Sequence, residues 1–312
     1  MTTQYTPTQS IVTPPKQRGR IRSRRRSDLP AALLFILPAA IGFVIFYLVP
    51  AIRGVGFSLT DQNLVGSGEF IGVDNYTRMA GDPLFWNALV VTFWYVLINI
   101  SVQTVLALAV AVLLHRLTRA VAIRGIVLLP YLVSNVVVAL VWFWMMDYST
   151  GIINVVIDGL GLDRMAFFGD EMLAIPTIAL INVWRFLGYT ALLIFAGLQT
   201  IPGEYYEAAS LDGASEWRMF RSITLPLLRP VMALVLVITI VGSFQIFDTV
   251  AVTTTGGPVN STRVIYYYIY QQAFERFDLG YASAMAVVLA ILLAAVAYFQ
   301  LKIMRSNSSD LS

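Results

Sequence analysis

The sequence has 312 residues, of which 58% are hydrophobic and only 12% are charged. A soluble domain carries about 25% charged residues, so this composition indicates a membrane protein and excludes an ordinary soluble domain. The chain has no cysteine, which excludes disulfides and thiol chemistry, and its single histidine, His115, excludes a histidine-based metal cluster.

The first 27 residues are rich in Thr, Pro, Gln, Ser and Arg and contain almost no large apolar side chains. Because such a segment cannot bury a core, we expect residues 1–27 to form a disordered basic arm. Each basic residue close to an anionic membrane surface contributes about 1 kcal/mol, which favours contact with membrane lipid. Nucleic-acid binding is the alternative, but no aromatic residue or folded module accompanies the arginine run.

Six stretches are long and apolar enough to cross a bilayer, which takes about 20 residues of helix. They are residues 29–52, 84–114, 125–146, 172–198, 230–252 and 282–301. Arg185 and Asp248 are the only charged residues within them. The sequence therefore predicts an all-α membrane protein: one domain of six transmembrane helices over residues 28–305, followed by a short cytoplasmic tail, residues 306–312.

The basic residues outside these stretches predict the orientation of the chain. If the N-terminus lies in the cytoplasm, fifteen Lys and Arg residues fall on the inner side of the membrane and five on the outer side. Since Lys and Arg are enriched in cytoplasmic loops, we expect both termini to be cytoplasmic.

The polar interspan segment, residues 199–229, joins the fourth and fifth apolar stretches. Residues 204–211 have good helix formers and an acidic first turn, which suits the helix dipole. Gly213 fits the position after that helix, where a positive φ is needed. Ser215 predicts the N-cap of a second short helix, residues 216 to about 223.

The surface of the interspan segment predicts a docking site for another protein. Ala208, Ala209 and Ala214 have small side chains, which would let another backbone approach, while Glu207 and Asp212 place negative charge at the rim. The alternative is an amphipathic hairpin that lies on lipid. The acidic residues argue against it, because helices at a lipid surface favour Lys and Arg on their polar face.

The same segment resembles the cytoplasmic signature of bacterial ABC importer permeases. The matching residues are Glu207-Ala208-Ala209, then Asp212-Gly213, then Ile223-x-Leu225-Pro226. The resemblance implies a coupling helix that sits in a cleft of a cytoplasmic ATPase subunit, with Glu207 paired to a basic residue there and Gly213 allowing the turn. The implied ATPase-coupling residues are Glu207, Ala208, Ala209, Asp212, Gly213, Ala214, Leu225 and Pro226.

Further motifs resemble the carbohydrate-uptake branch of that family, to which the maltose and glycerol-3-phosphate permeases belong. They are Phe-Gln-Ile-Phe-Asp at 244–248, Thr-Thr-Thr-Gly-Gly-Pro at 253–258, Ser-Thr at 261–262, Tyr-Gln-Gln-Ala-Phe at 270–274, and the run 277–284. The similarity covers roughly residues 30–305 and implies the maltose-permease-like helix bundle.

A sugar site combines flat apolar faces with polar side chains, and the fourth and fifth stretches contain both. The predicted substrate path includes Arg185, Gln245 and Asp248 together with the residues that match path positions of the family by resemblance: Trp184, Phe186, Tyr189, Thr239, Gly242, Ser243 and Ile246. Helix packing is the alternative role for each of them. Arg185 and Asp248 would pair with each other, or Arg185 would attract an anionic substrate, because charges inside a span usually face the interior of the bundle.

No G-x-x-x-x-G-K-[ST] loop and no nucleophile–base set occur, so we expect neither ATP hydrolysis nor any other enzymatic activity, and no catalytic residue, metal or bound cofactor. The resemblance implies a permease subunit in the bacterial cell membrane that imports a sugar or sugar-like solute by alternating access. ATP and Mg would bind to two copies of a separate ATPase subunit. A second homologous permease and an extracytoplasmic solute-binding protein are the other implied partners, and nucleic acid is not.

The alternative function is an ion-coupled secondary transporter or a channel. Such proteins commonly carry several acidic residues inside the membrane, as relays. Only Asp248 meets that description in this sequence, so the permease is the favoured interpretation.

Overall fold

A computed structural model of the chain describes residues 29–117 and 120–306. The predicted basic arm, residues 1–27, and most of the predicted tail lie outside the described residues. Within the described ranges every regular element is a helix, and the only β pairings are two isolated bridges, Thr60 with Phe70 and Asn63 with Asp278. The predicted all-α fold is confirmed.

The chain divides into two units, of which the first ends at Ala51. The described part of this unit is helical. Helix α1, Leu29–Phe43, continues through a π-helical turn, Val44–Leu48, into α2, Val49–Phe57. The candidate span Leu33–Phe57 carries a mean hydropathy of 2.5, which suits a helix in lipid.

The second unit, residues 52–312, contains the remaining described helices. They are α3 Asp74–Ala80, α4 Pro83–Leu117, α5 Val121–Leu132, α6 Asn135–Met145, α7 Ile152–Gly159, α8 Ala174–Leu198, α9 Glu204–Leu211, α10 Glu216–Met219, α11 Leu225–Phe244, α12 Asp248–Thr253, α13 Ile265–Tyr270 and α14 Leu279–Ser306. Two further π-helical turns occupy Phe220–Thr224 and Gln271–Glu275.

Helices α4 and α8 pack along each other and form the centre of this unit. Ala107 and Ala111 on α4 meet Ile194 and Leu198 on α8, and Val235 of α11 completes this apolar cluster. The small alanine side chains let the helix axes approach closely, which is how helices pack when lipid surrounds them.

Helix α5 also packs against α8, and a glycine sets the distance between them. A Cβ atom added at Gly188 would collide with the backbone carbonyl of Val127. Only glycine therefore permits this approach, which brings the C-terminal end of α5 against the middle of α8.

Among the described residues, five helices are long and apolar enough to cross a membrane: Leu33–Phe57, Pro83–Arg116, Ala174–Leu198, Glu216–Thr253 and Leu279–Lys302. The predicted span 125–146 is instead a pair of helices, α5 and α6, bent by 87°. Val133 and Ser134 adopt extended conformations at the bend. Counting this broken pair as one span gives the six that the sequence predicts.

The fifth span also differs in detail from the prediction. The second short helix expected over 216–223 is the first part of one long helical run, because a π-helical turn joins α10 to α11. Pro226 is the second residue of α11 and directly follows the π-helical turn. The run then breaks at Gln245–Phe247, inside the stretch 230–252 that the sequence predicts as a single span.

Candidate functional site

A cavity of about 360 Å³ lies between α4, the α5–α6 bend, α8 and the end of α11. Seven of the ten predicted substrate-path residues line it: Phe186, Tyr189, Thr239, Gly242, Ser243, Gln245 and Ile246. The other three, Trp184, Arg185 and Asp248, do not line it. The contact of these side chains with a substrate stays a prediction, but the structure brings most of them to one cavity.

One wall of the cavity is aromatic. The ring of Tyr131, at the end of α5, stacks on Tyr189 of α8 with centroids 4.6 Å apart and planes 15° apart. Phe186 meets Tyr131 edge-to-face at 5.6 Å. Sequence reasoning found the two α8 residues but missed Tyr131, since its position depends on the close approach of α5 at Gly188.

Another part of the cavity wall is a chain of neutral hydrogen-bonding groups. The Asn99 amide Nδ2 donates to Ser243 Oγ at 2.8 Å and to Gln103 Oε1 at 3.1 Å, and Gln103 Nε2 donates to Thr190 Oγ1 at 2.7 Å. Ser243 Oγ in turn donates to the Thr239 carbonyl at 2.7 Å. These bonds join α4, α8 and α11.

Asn99 and Gln103 are cavity residues that sequence reasoning missed, although a signal was present. Two amides four residues apart in a charge-free span lie on one face of the helix. The structure leaves Asn99 Oδ1 buried and without a hydrogen-bond partner among the described residues. A buried unpaired acceptor is costly, so Asn99 is a polar group of this wall that is only partly satisfied.

Arg185 binds backbone rather than lining the cavity. Its Nε and Nη2 atoms donate to the Val133 carbonyl at 3.2 and 3.1 Å, and Nη2 also reaches the Tyr131 carbonyl at 3.4 Å. The guanidinium lies over the Phe186 ring at 4.7 Å. The last carbonyls of a helix lack partners within it and carry partial negative charge, so Arg185 stabilises the end of α5 at the bend.

Asp248 is the first residue of α12, and its partner is not Arg185, the partner that the sequence suggested. Its Oδ2 accepts a hydrogen bond from Asn135 Nδ2, at the start of α6, at 2.8 Å. An acidic residue in the first turn also suits the helix dipole. Arg185 and Asp248 therefore make no ion pair with each other; each one secures a helix break.

Trp184 lies on the outer side of α8, away from the cavity. Its side chain is half-exposed and meets Trp142 of α6 edge-to-face at 5.5 Å. This contact is helix packing, the role that the sequence analysis gave as the alternative for each predicted path residue.

The interspan segment has the predicted local structure in its first half. Helix α9 covers Glu204–Leu211, and Gly213 follows it with a φ of +72°. The Ser215 hydroxyl accepts a hydrogen bond from the Arg218 N–H at 3.4 Å, as an N-cap does. Nothing lies within 4 Å of a Cβ added at Gly213, so backbone conformation and not crowding favours glycine there.

The tip of the interspan segment is exposed and combines apolar with acidic groups. Leu211 is 89% exposed beside the exposed Glu207, Ala208, Asp212 and Gly213. Ala209, Ala214 and Pro226 are half-buried and Leu225 is 39% exposed. Neither Glu207 nor Asp212 makes an ion pair with any described residue.

Behind this tip, the interspan segment is fastened to the long helices. The Tyr206 hydroxyl lies 2.9 Å from Thr224 Oγ1, and Arg116 at the end of α4 makes a 2.7 Å ion pair with Glu216. These contacts connect the interspan segment to the end of α4 and to the π-helical turn that leads into α11.

At the far end of α4, a cluster around Asp82 joins several helices. Asp82 Oδ2 accepts hydrogen bonds from the hydroxyls of Tyr268 and Tyr281, both at 2.6 Å, and Oδ1 accepts from the Leu84 N–H at 2.9 Å. Burial opposes the charge of Asp82, but these bonds hold its pKa below the usual range. Burial and the bond to Asp82 raise the pKa of Tyr268 to about 12.

Comparison with known proteins gives this architecture a family. Residues 103–307 match the family described as "Binding-protein-dependent transport system inner membrane component". A probable ABC transporter permease protein of Pyrococcus horikoshii is 35% identical over 86% of this chain and 94% of the relative. The sulfoquinovosyl glycerol transport system permease protein of Agrobacterium fabrum is 35% identical over 90% of this chain and 92% of the relative.

A third relative and a solved structure agree with these matches. The trehalose/maltose transport system permease protein of Thermococcus litoralis is 33% identical over 87% of this chain and 92% of the relative. A chain in the crystal structure of a bacterial ABC transporter involved in alginate import has the same fold, with a TM-score of 0.79, 24% identity, and coverage of 89% of this chain and 97% of that chain. This protein therefore belongs to the binding-protein-dependent transport system inner membrane components, the permeases of ABC transporters.

Proposed function

We propose that this chain is the membrane permease subunit of an ABC importer that carries a sugar or a sugar-like solute into the cell by alternating access. The observation that carries the proposal is the cavity of about 360 Å³, which combines an aromatic wall with a wall of amides and hydroxyls inside an apolar helix bundle. Such a mixture suits a solute with apolar C–H faces and many hydroxyls. Relatives named for sulfoquinovosyl glycerol and for trehalose and maltose support a sugar-like cargo.

The energy for transport would come from other subunits. The chain contains no phosphate-binding loop of the G-x-x-x-x-G-K-[ST] type. Two copies of an ATPase subunit would bind ATP and Mg and would hold the exposed tip of the interspan segment, where Glu207 and Asp212 are available for a basic cleft. The chain itself would have no catalytic activity and no cofactor of its own.

The remaining partners complete the transporter. A second homologous permease would pair with this chain, and an extracytoplasmic solute-binding protein would deliver the solute. Both termini and the interspan segment would face the cytoplasm, in accordance with the distribution of Lys and Arg. The basic arm would contact anionic lipid of the bacterial cell membrane and not nucleic acid.

Reconstitution in proteoliposomes tests this function. We expect uptake of a labelled sugar that requires the ATPase subunits, ATP on their side of the membrane and the solute-binding protein. Uptake should continue after a protonophore has collapsed the proton gradient. Uptake by this chain alone, driven by an ion gradient without ATP, would instead indicate the secondary transporter.

A further inference from the structure

The cavity wall is uncharged. All the described residues that line it are aromatic, aliphatic, amide or hydroxyl residues, or glycine. Five of them carry amides, on four different helices or helix breaks: Asn99, Gln103, Asn135, Asn182 and Gln245.

The two charged residues of the neighbouring spans are already engaged elsewhere. The Arg185 guanidinium donates to the carbonyls of Tyr131 and Val133, and Asp248 accepts from Asn135. Neither side chain lines the cavity, and removing either one from its partner would leave a helix end without that hydrogen bond. An anionic solute in this cavity would therefore meet no described counter-charge, and burying an unpaired charge in a low-dielectric site is strongly unfavourable.

The hydrogen-bonding groups of the cavity wall also favour a solute that can donate hydrogen bonds. Asn99 is 4% exposed, and its Oδ1 is a buried acceptor without a partner among the described residues. A carboxylate or sulfonate has only acceptor atoms, so it can use only the N–H and O–H donors of this wall, whereas the hydroxyl that stands in its place on a neutral sugar can use the acceptors as well. The cavity volume of about 360 Å³ falls in the range of about 300–1,000 Å³ that small-molecule sites have.

From these observations we infer that the cavity is selective for neutral, hydroxyl-rich ring solutes over sugar acids and sulfonated or phosphorylated sugars of the same size. This inference rests on the proposed function and narrows it. The selectivity lies in this chain, so it should operate even when no solute-binding protein takes part.

Saturation-transfer NMR on the complete transporter in nanodiscs, without its solute-binding protein, measures that selectivity. The probes are maltose, trehalose and cellobiose, each compared with its derivative that carries a uronate carboxylate. We expect binding of at least one neutral disaccharide and at least tenfold weaker binding of its uronate. Equal or tighter binding of the uronate would overturn the inference.

A matched pair of variants tests whether the cavity wall is responsible for this selectivity. Gln245 lines the cavity from the exposed break between α11 and α12, where a longer or apolar side chain can be accommodated. Gln245→Lys adds a positive charge and should shift the binding ratio at least tenfold towards the uronate, while Gln245→Met should retain the preference for the neutral sugar. An unchanged ratio in a folded Gln245→Lys transporter, with an unaltered melting temperature, would contradict the inference.

ATP-driven uptake separates this inference from the proposed function. If ATP-driven sugar uptake persists but the uronates bind as well as the neutral sugars, only the selectivity inference fails. If no sugar of either kind binds or is transported, the proposed function fails and the inference fails with it.

Discussion

The interspan segment and the cavity are built in opposite ways. The interspan tip is a short, continuous stretch whose conformation depends on local groups, such as the positive φ of Gly213 and the Ser215 cap. The cavity is assembled from separate helices, and the bonded pair Asn99 and Ser243 lies 144 positions apart in the chain. A local feature can therefore be changed without disturbing the cavity, and this gives the sharpest test of their separate roles.

The largest expected effect is at the interspan tip. A side chain at φ +72° costs about 1–2 kcal/mol, and a bulky cation would also oppose a basic ATPase cleft. We expect Gly213→Arg to reduce ATP-driven uptake at least 100-fold while sugar binding in the cavity is unchanged.

Gly213→Asn is the control, because asparagine tolerates a positive φ and adds no charge. This variant should keep most of the uptake. Normal uptake by Gly213→Arg would show that the interspan tip does not transmit energy.

The second test breaks the cavity and leaves the interspan tip intact. Asn99→Leu removes the amide that donates to Ser243 and Gln103. The polar groups left unpaired cost about 1–3 kcal/mol of free energy. Since 1.4 kcal/mol corresponds to tenfold, we expect uptake to fall about tenfold or more, with ATP hydrolysis by the assembled transporter retained.

Val105→Leu serves as its control, since Val105 lies on the same helix but is 68% exposed, away from the cavity. Its uptake should match that of the wild type. Similar losses in both variants would mean that α4 itself, and not the hydrogen-bonded wall, is sensitive.

Arg185 tests whether a charge near the cavity acts on the solute or on the helices. The Arg185 guanidinium binds the end of α5, so Arg185→Gln should loosen the part of the cavity wall that contains Tyr131. We expect uptake to fall about tenfold, a loss that corresponds to roughly 1.4 kcal/mol. As a positioning residue it should affect neutral and uronate sugars equally, and Arg185→Lys should restore part of the uptake. A selective loss of uronate binding would instead assign Arg185 to the substrate.

The same contrast explains how much the sequence could predict. Helix α9 and the Gly213 turn follow from local caps and helix formers, so the interspan segment was predictable. Phe186 and Tyr189 were predictable as aromatic neighbours on one helix. The α5–α6 bend was not predicted, because 125–146 is free of charge and long enough for one span; its local signs are Pro130 and the polar pair Ser134-Asn135. Without that bend, neither Tyr131 nor the carbonyl partners of Arg185 could be assigned.

The smallest effect on transport is expected at the Asp82 cluster, which belongs to neither region. Its hydrogen bonds hold the pKa of Asp82 below the ordinary value of about 3.9, so the charged carboxylate stabilises the fold above that pH. This contribution is lost as pH falls through the lowered pKa. We expect the melting temperature of the wild type to drop below pH about 4, and that of Asp82→Asn to start lower and drop less. Uptake at neutral pH should change less than about twofold, because no hydrogen bond of the Asp82 side chain reaches the cavity or the interspan tip. Tyr268→Phe removes one of these bonds and should give an intermediate acid response. A response identical to that of the wild type would show that the Tyr281 hydroxyl and the backbone of Leu84 and Phe85 hold the carboxylate charged without it.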